Sequence, residues 1–93
     1  MPPMFTRYEQ IDVGAVAKDV AALTIPPTAT HAELQADTGS VRYTMDGTAP
    51  SSSFGMLLLV TERPQGFLVE DLRRIQFIQG SGAAKLNIHY YSG

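Results

Sequence analysis

A chain of 93 residues holds one hydrophobic core and not two, because a domain near this size buries roughly two thirds of the surface its unfolded chain exposes. A net charge of -2 with only seven basic residues excludes the phosphate neutralisation that nucleic-acid binding requires, and the absence of cysteine excludes disulfides, thiolate nucleophiles and zinc–thiolate sites together. Charged residues make up 17% of the chain against a usual share of about 25%, so part of its surface is suited to being covered by a partner.

Met1 to Met4 carries two prolines and little to anchor it, while Phe5 to Val13 is rich in aromatic and β-branched residues. Residues 1–8 are therefore expected to form an extended N-terminal arm, and residues 9–93 a single β-sandwich domain. The opening residues lack the apolar stretch of a secretory signal, which makes synthesis in the cytoplasm the expectation. From Ala15 to Ile25 two periods coexist. Val16, Val20 and Leu23 repeat at helical spacing, whereas Ala21, Leu23 and Ile25 repeat at strand spacing. A strand is the favoured reading, since an isolated one-face helix of this length is marginal. Pro26 and Pro27 end the element either way.

Ala32, Leu34 and Ala36 alternate with polar residues, and Val41, Tyr43 and Met45 do so after Asp37-Thr38-Gly39-Ser40, a pattern that predicts an antiparallel hairpin. Asp37 suits its loop by bonding backbone, and Gly39 by accepting positive φ. A structural turn is expected at Asp46, Gly47 and Pro50, followed by the serines Ser51 to Ser53. Met56 to Thr61 reads as a central strand covered on both faces. Its apolar part, Met56 to Val60, falls far short of the ~20 residues that cross a bilayer, so no membrane is expected as a partner. Arg63-Pro64-Gln65-Gly66 has turn chemistry, and Phe67 to Val69 and Arg74 to Gln79 follow as strands. After a turn at Gly80-Ser81-Gly82, the last strand alternates most cleanly, with Ala84, Leu86, Ile88 and Tyr90 on one side and Lys85, Asn87, His89 and Tyr91 on the other. Seven or eight short strands with such punctuation predict an all-β fold, an antiparallel sandwich of Ig-like or jelly-roll-like type, with a barrel as the alternative.

Chemistry-bearing residues are sparse. Ser51, Ser52 and Ser53 lack the glycine spacing of a nucleophile elbow and read as a solvated loop. His31 and His89 are the available bases, but no His-x-His or carboxylate spacing supports a metal, and Asp46 has too few oxygen neighbours for a calcium loop. The sequence nominates no catalytic residue, cofactor or metal ligand, and no nucleic-acid partner. What it does nominate is a contact surface. Met4, Phe5 and Tyr8 in the arm, with His89 and Tyr91 on the polar side of the last strand, are the residues expected to meet a partner.

The stretch VRYTMDGTAPSSSFGMLLL, residues 41–59, resembles a pattern of small structural proteins of tailed bacteriophages and prophages, in which a V-R-Y/W strand leads into an Asp-Gly-Thr-x-Pro turn and then an apolar strand. The similarity extends through residues 23–42 and 67–93, including the tyrosine pair near the end. It departs at Ser51-Ser52, which stands after the proline in place of the commoner residues. A related signature marks Ig-like modules of hexosaminidases and other carbohydrate-active enzymes. Both resemblances imply an antiparallel sandwich. The first implies a non-enzymatic virion protein, made in the bacterial host cytoplasm. It would be a head decoration or cement protein docked on the major capsid protein, or a tail-associated protein docked on another virion component, and would associate with itself as a trimer. The second implies a carbohydrate-binding module of a tail fibre or glycan-active enzyme.

Overall fold

The computed structural model describes residues 4–51, 53–80 and 82–93. Met1 to Pro3 of the expected arm, Ser52 of the serine loop and Ser81 of the Gly80–Gly82 turn lie outside the described residues. Eight strands form: β1 (Met4–Val13), β2 (Lys18–Asp19), β3 (Ala29–Asp37), β4 (Val41–Thr44), β5 (Met56–Leu58), β6 (Gln65–Leu68), β7 (Gln76–Gln79) and β8 (Ala84–Ser92). They make two antiparallel four-stranded sheets, sheet I in the order β1-β8-β3-β6 and sheet II in the order β2-β7-β4-β5.

The pairs β1–β8, β2–β7, β3–β6 and β4–β5 are nested, as in one long hairpin closed at β4–β5 and rolled upon itself. That is the jelly-roll form of the sandwich, and every connection except β4–β5 passes from one sheet to the other. The expected hairpin between residues 32 and 45 is thereby corrected. β3 pairs with β8 and β6, β4 pairs with β7 and β5, and the two strands face each other across the core. Alternation cannot tell these cases apart, because a hairpin and an arch both bury every second residue. In the arch it is Thr38, at φ 69°, and not Gly39 that takes the left-handed conformation.

The core lies between the sheets. Leu34, Leu86, Ile88 and Tyr90 of sheet I meet Val41, Phe77 and Leu58 of sheet II within one buried cluster. Sequence alternation places Leu34, Val41, Leu86, Ile88 and Tyr90 correctly. Two 3₁₀ segments supply what it does not. Residues 15–25, expected as a strand, hold only the two-residue β2 and a 3₁₀ turn at Val20–Ala22, capped by Asp19, whose Oδ1 accepts from the Ala21 N–H. A second 3₁₀ helix, Val69–Arg74, joins β6 to β7 and drives Leu72 fully into the core. Its signal was present as Val69, Leu72 and Ile75, a three-residue repeat matching the 3₁₀ period.

Met56 to Thr61 is not a central strand. Only Met56–Leu58 pairs, at the edge of sheet II, and of the run only Leu58 is buried. A contiguous apolar run records that its residues are apolar, not that two layers cover them.

Candidate functional site

Three of the four strands of sheet I, β1, β3 and β8, have nine or ten residues, long enough to carry a regular exterior. β8 is its spine, paired on one side with β1 and on the other with β3. Because Ala84, Leu86, Ile88 and Tyr90 turn inward, Lys85, Asn87, His89 and Tyr91 must turn outward. The register sets Phe5 beside Tyr91 and Tyr8 beside His89 on the same outer face. A bulge between Phe5 and Arg7 preserves this arrangement, since the extra residue restores the facing of the strand on either side of it.

The rings form a connected edge-to-face chain. Phe5 and His89 have centroids 5.2 Å apart, Tyr8 and His89 5.3 Å, Phe5 and Tyr91 6.0 Å, and His89 and Tyr91 6.5 Å. Hydrogen bonds fix the ends of this chain. Tyr91 Oη donates to Glu33 Oε1 at 2.7 Å across to β3, and Tyr8 Oη donates to Asn87 Oδ1 at 3.0 Å. Gln10 Nε2 donates to Asn87 Oδ1 at 2.8 Å and to Asp37 Oδ2 at 3.3 Å, so one polar lattice spans β1, β8 and β3. The bond to Glu33, with partial desolvation, raises the Tyr91 phenol above its ordinary value and keeps it a donor. Phe5 is 55% exposed and Tyr8 48%.

Of the five residues expected to meet a partner, four are thus brought together. Met4 is not: it pairs with Ser92 on the opposite side of β1 from Phe5. Residues 4–8, expected as an arm, are extended and, apart from Thr6 in the bulge, paired with β8.

The two histidines also converge on this face. His31 lies opposite Tyr91, and His89 opposite Glu33. His31 Nδ1 shares a 2.8 Å hydrogen bond with Thr30 Oγ1. Among the described residues no group of three or more His, Asp or Glu is arranged to hold a metal ion. Ser51 and Ser53 sit in the β4–β5 loop of sheet II, 3.4 Å apart between their hydroxyls, with no hydrogen bond from either to a histidine among the described residues.

The Asp46-Gly47-Pro50 segment closes that same end of sheet II. Asp46 Oδ1 accepts from the Thr48 N–H at 2.9 Å, a contact that holds its carboxyl below the usual carboxylate range. Gly47 lies at φ +88°, and its carbonyl accepts from Gln76 Nε2. Thr44 Oγ1 donates to the Thr48 carbonyl, and Pro50 is buried.

Sequence reasoning missed Glu9 and Glu33. Glu9 points inward from the edge strand β1, where its Oε2 accepts from Tyr90 Oη at 2.6 Å and from the Thr24 N–H at 2.8 Å. An inward charge on an edge strand discourages indiscriminate pairing. Glu33 was visible only as an outward residue of an alternating strand. Its link to Tyr91 depends on a pairing between residues 58 positions apart. Comparison of the chain with protein families, with curated proteins and with solved structures finds no match.

Proposed function

We propose that this protein is a non-enzymatic structural component of a bacteriophage virion, a decoration or cement protein that docks on the major capsid protein through the outer face of sheet I. The observation that carries the reading is the convergence of Phe5, Tyr8, His89 and Tyr91 into one exposed, mutually packed ring cluster. Aromatic side chains held by their neighbours offer large contact area with little rotamer entropy left to lose, which is the character of an interface centre. The virion setting comes from the resemblance of residues 41–59, and trimeric self-association belongs to the same reading. Jelly rolls serve in viral capsids and in lectins alike, so the fold supports the setting without choosing the partner.

The test is saturation of undecorated capsids of the encoding phage by the purified chain. The double variant Phe5→Ala, Tyr8→Ala is expected to melt near the parent temperature and to lose about 30-fold or more in affinity, the effect of removing hot-spot anchors. Sedimentation of the free protein checks the trimer. A chain that ignores capsids and instead binds a glycan array in a Tyr8-dependent way would move this face to sugar recognition.

A further inference from the structure

Beside the ring cluster, between β8 and the short edge strand β6, the outer face of sheet I holds an open groove of about 560 Å³. Two cross-strand rows define it. Leu68, His31 and Tyr91 lie side by side in one row, and Gly66, Glu33 and His89 in the next. Two of these residues have features that the fold itself does not require.

The first is Gly66. Its φ is not in the left-handed region, and a Cβ built on it would meet nothing within 4 Å. Neither backbone conformation nor packing demands a glycine here, and a glycine inside a strand weakens that strand. Its effect is to leave the position beside Glu33 empty. By contrast, Gly55 lies at φ +126° and a Cβ there would crowd the Tyr43 carbonyl oxygen at 3.1 Å, so backbone conformation and packing both favour glycine at that position.

The second is Glu33. Its carboxylate is half-buried, and Oε1 takes the Tyr91 hydroxyl at 2.7 Å. Its other oxygen accepts no hydrogen bond from the described residues, and among them no cation lies within ion-pair distance. A carboxylate so placed, walled by a tyrosine ring and a leucine, is complementary to a group that combines positive charge, a flat face and an apolar stem. Guanidinium has all three. It pairs with carboxylate oxygen, stacks on an aromatic ring, and its methylenes lie along apolar surface.

We propose that the Gly66–Glu33 groove is a socket for an arginine side chain presented by the docking partner. This deepens the reading above, on which it rests for the partner being a protein. The experiment is a titration of the isotope-labelled full chain with Nα-acetyl-arginine methylamide, followed by amide NMR shifts. The uncharged isostere Nα-acetyl-citrulline methylamide and glucose serve as parallel probes. Saturable shifts confined to residues 31–33, 66–68 and 91 are expected with the arginine probe alone. Gly66→Leu should fill the socket and abolish the response while retaining the parent spectrum elsewhere. Glu33→Gln, which keeps an acceptor for Tyr91, should weaken it on the order of tenfold or more, and this variant carries the test should Gly66→Leu misfold. Absent saturation, an equal response to citrulline, a response to glucose alone, or undiminished shifts in Glu33→Gln would each overturn the socket. Because the titration uses no particles, its failure beside intact capsid binding would remove the socket and leave the docking face standing.

Discussion

The two sheets share one core and present different exteriors. In sheet I, β1, β3 and β8 keep register over nearly their whole lengths, and the outward side chains lock one another through ring contacts and a polar lattice across three strands. Sheet II is built from strands of two to four residues, and its β5 edge and flanking loops expose Phe54, Met56, Leu57, Leu59 and Val60, for which no ring contact is found among the described residues. Long strands thus do two things at once. They bury alternate residues as core and hold the other half in fixed positions outside, where binding requires little further ordering. Short strands do only the first.

The largest effects should come from the core, where the comparison predicts a gradient. Leu86 sits on β8, flanked by Ile11 of β1 and Ala36 of β3, whereas Leu58 sits on the edge strand β5 with Val41 as its cross-strand neighbour. Both are buried. Truncation to alanine should cost about 2–5 kcal/mol, with Leu86→Ala near the top of that range and Leu58→Ala near the bottom, because a free edge can settle into the space left. Urea unfolding of the two variants measures the difference. Equal losses would mean that the edge of sheet II is as rigid as the centre of sheet I.

An intermediate effect is expected where sheet I encloses a polar pair. Burial, then the hydrogen bond to Glu9, raises the Tyr90 phenol well above its ordinary value of 10.0. Since the folded state resists losing this proton, its contribution to stability is complete below pH 10 and is lost as pH climbs above that value, where the unfolded chain ionises first. Tyr43, raised mainly by burial, and Tyr91 add to the same alkaline decline. Tyr90→Phe should cost about 1–3 kcal/mol at neutral pH, because Glu9 keeps the Thr24 N–H and loses its second donor. It should also make the decline above pH 10 shallower. Denaturation followed from pH 7 to 11 reads both, and an unchanged alkaline slope would remove Tyr90 from the account.

The same contrast explains what the sequence made legible. Strict alternation in residues 32–36 and 84–91 revealed the core face and the outward face of sheet I, and with them His89 and Tyr91 as outward residues. It could not reveal which strands are neighbours. Hence an arch was read as a hairpin, and the Glu33–Tyr91 bond that shapes the groove stayed invisible. Sheet II was less legible because its elements are too short for a period to establish itself. The strand expected over residues 15–25 shrank to two residues and a 3₁₀ turn, and the 3₁₀ helix carrying Leu72 lay in a gap between expected strands. Gly66 was read as part of a turn, because one glycine in a sequence does not say whether its missing side chain serves the backbone, the packing or a vacant place.

The smallest expected effect tests the exposed edge of sheet II. Leu59 and Val60 are 41% and 49% exposed, and they follow β5 in a turn held by its backbone, with the Glu62 N–H donating to the Leu59 carbonyl and the Leu59 N–H to Glu62 Oε1. Neither contact uses the Leu59 or Val60 side chain. Replacing both residues by serine should therefore change stability by no more than about 0.5 kcal/mol, the range of surface positions away from special features. Capsid saturation should also be unchanged, which separates this patch from the ring cluster, where Phe5→Ala with Tyr8→Ala is expected to keep the parent melting temperature and weaken binding about 30-fold or more. A Leu59→Ser, Val60→Ser protein that unfolds early would place these side chains in the core. One that folds normally but no longer saturates capsids would move the docking surface to sheet II, and the division of labour between the two exteriors would fail.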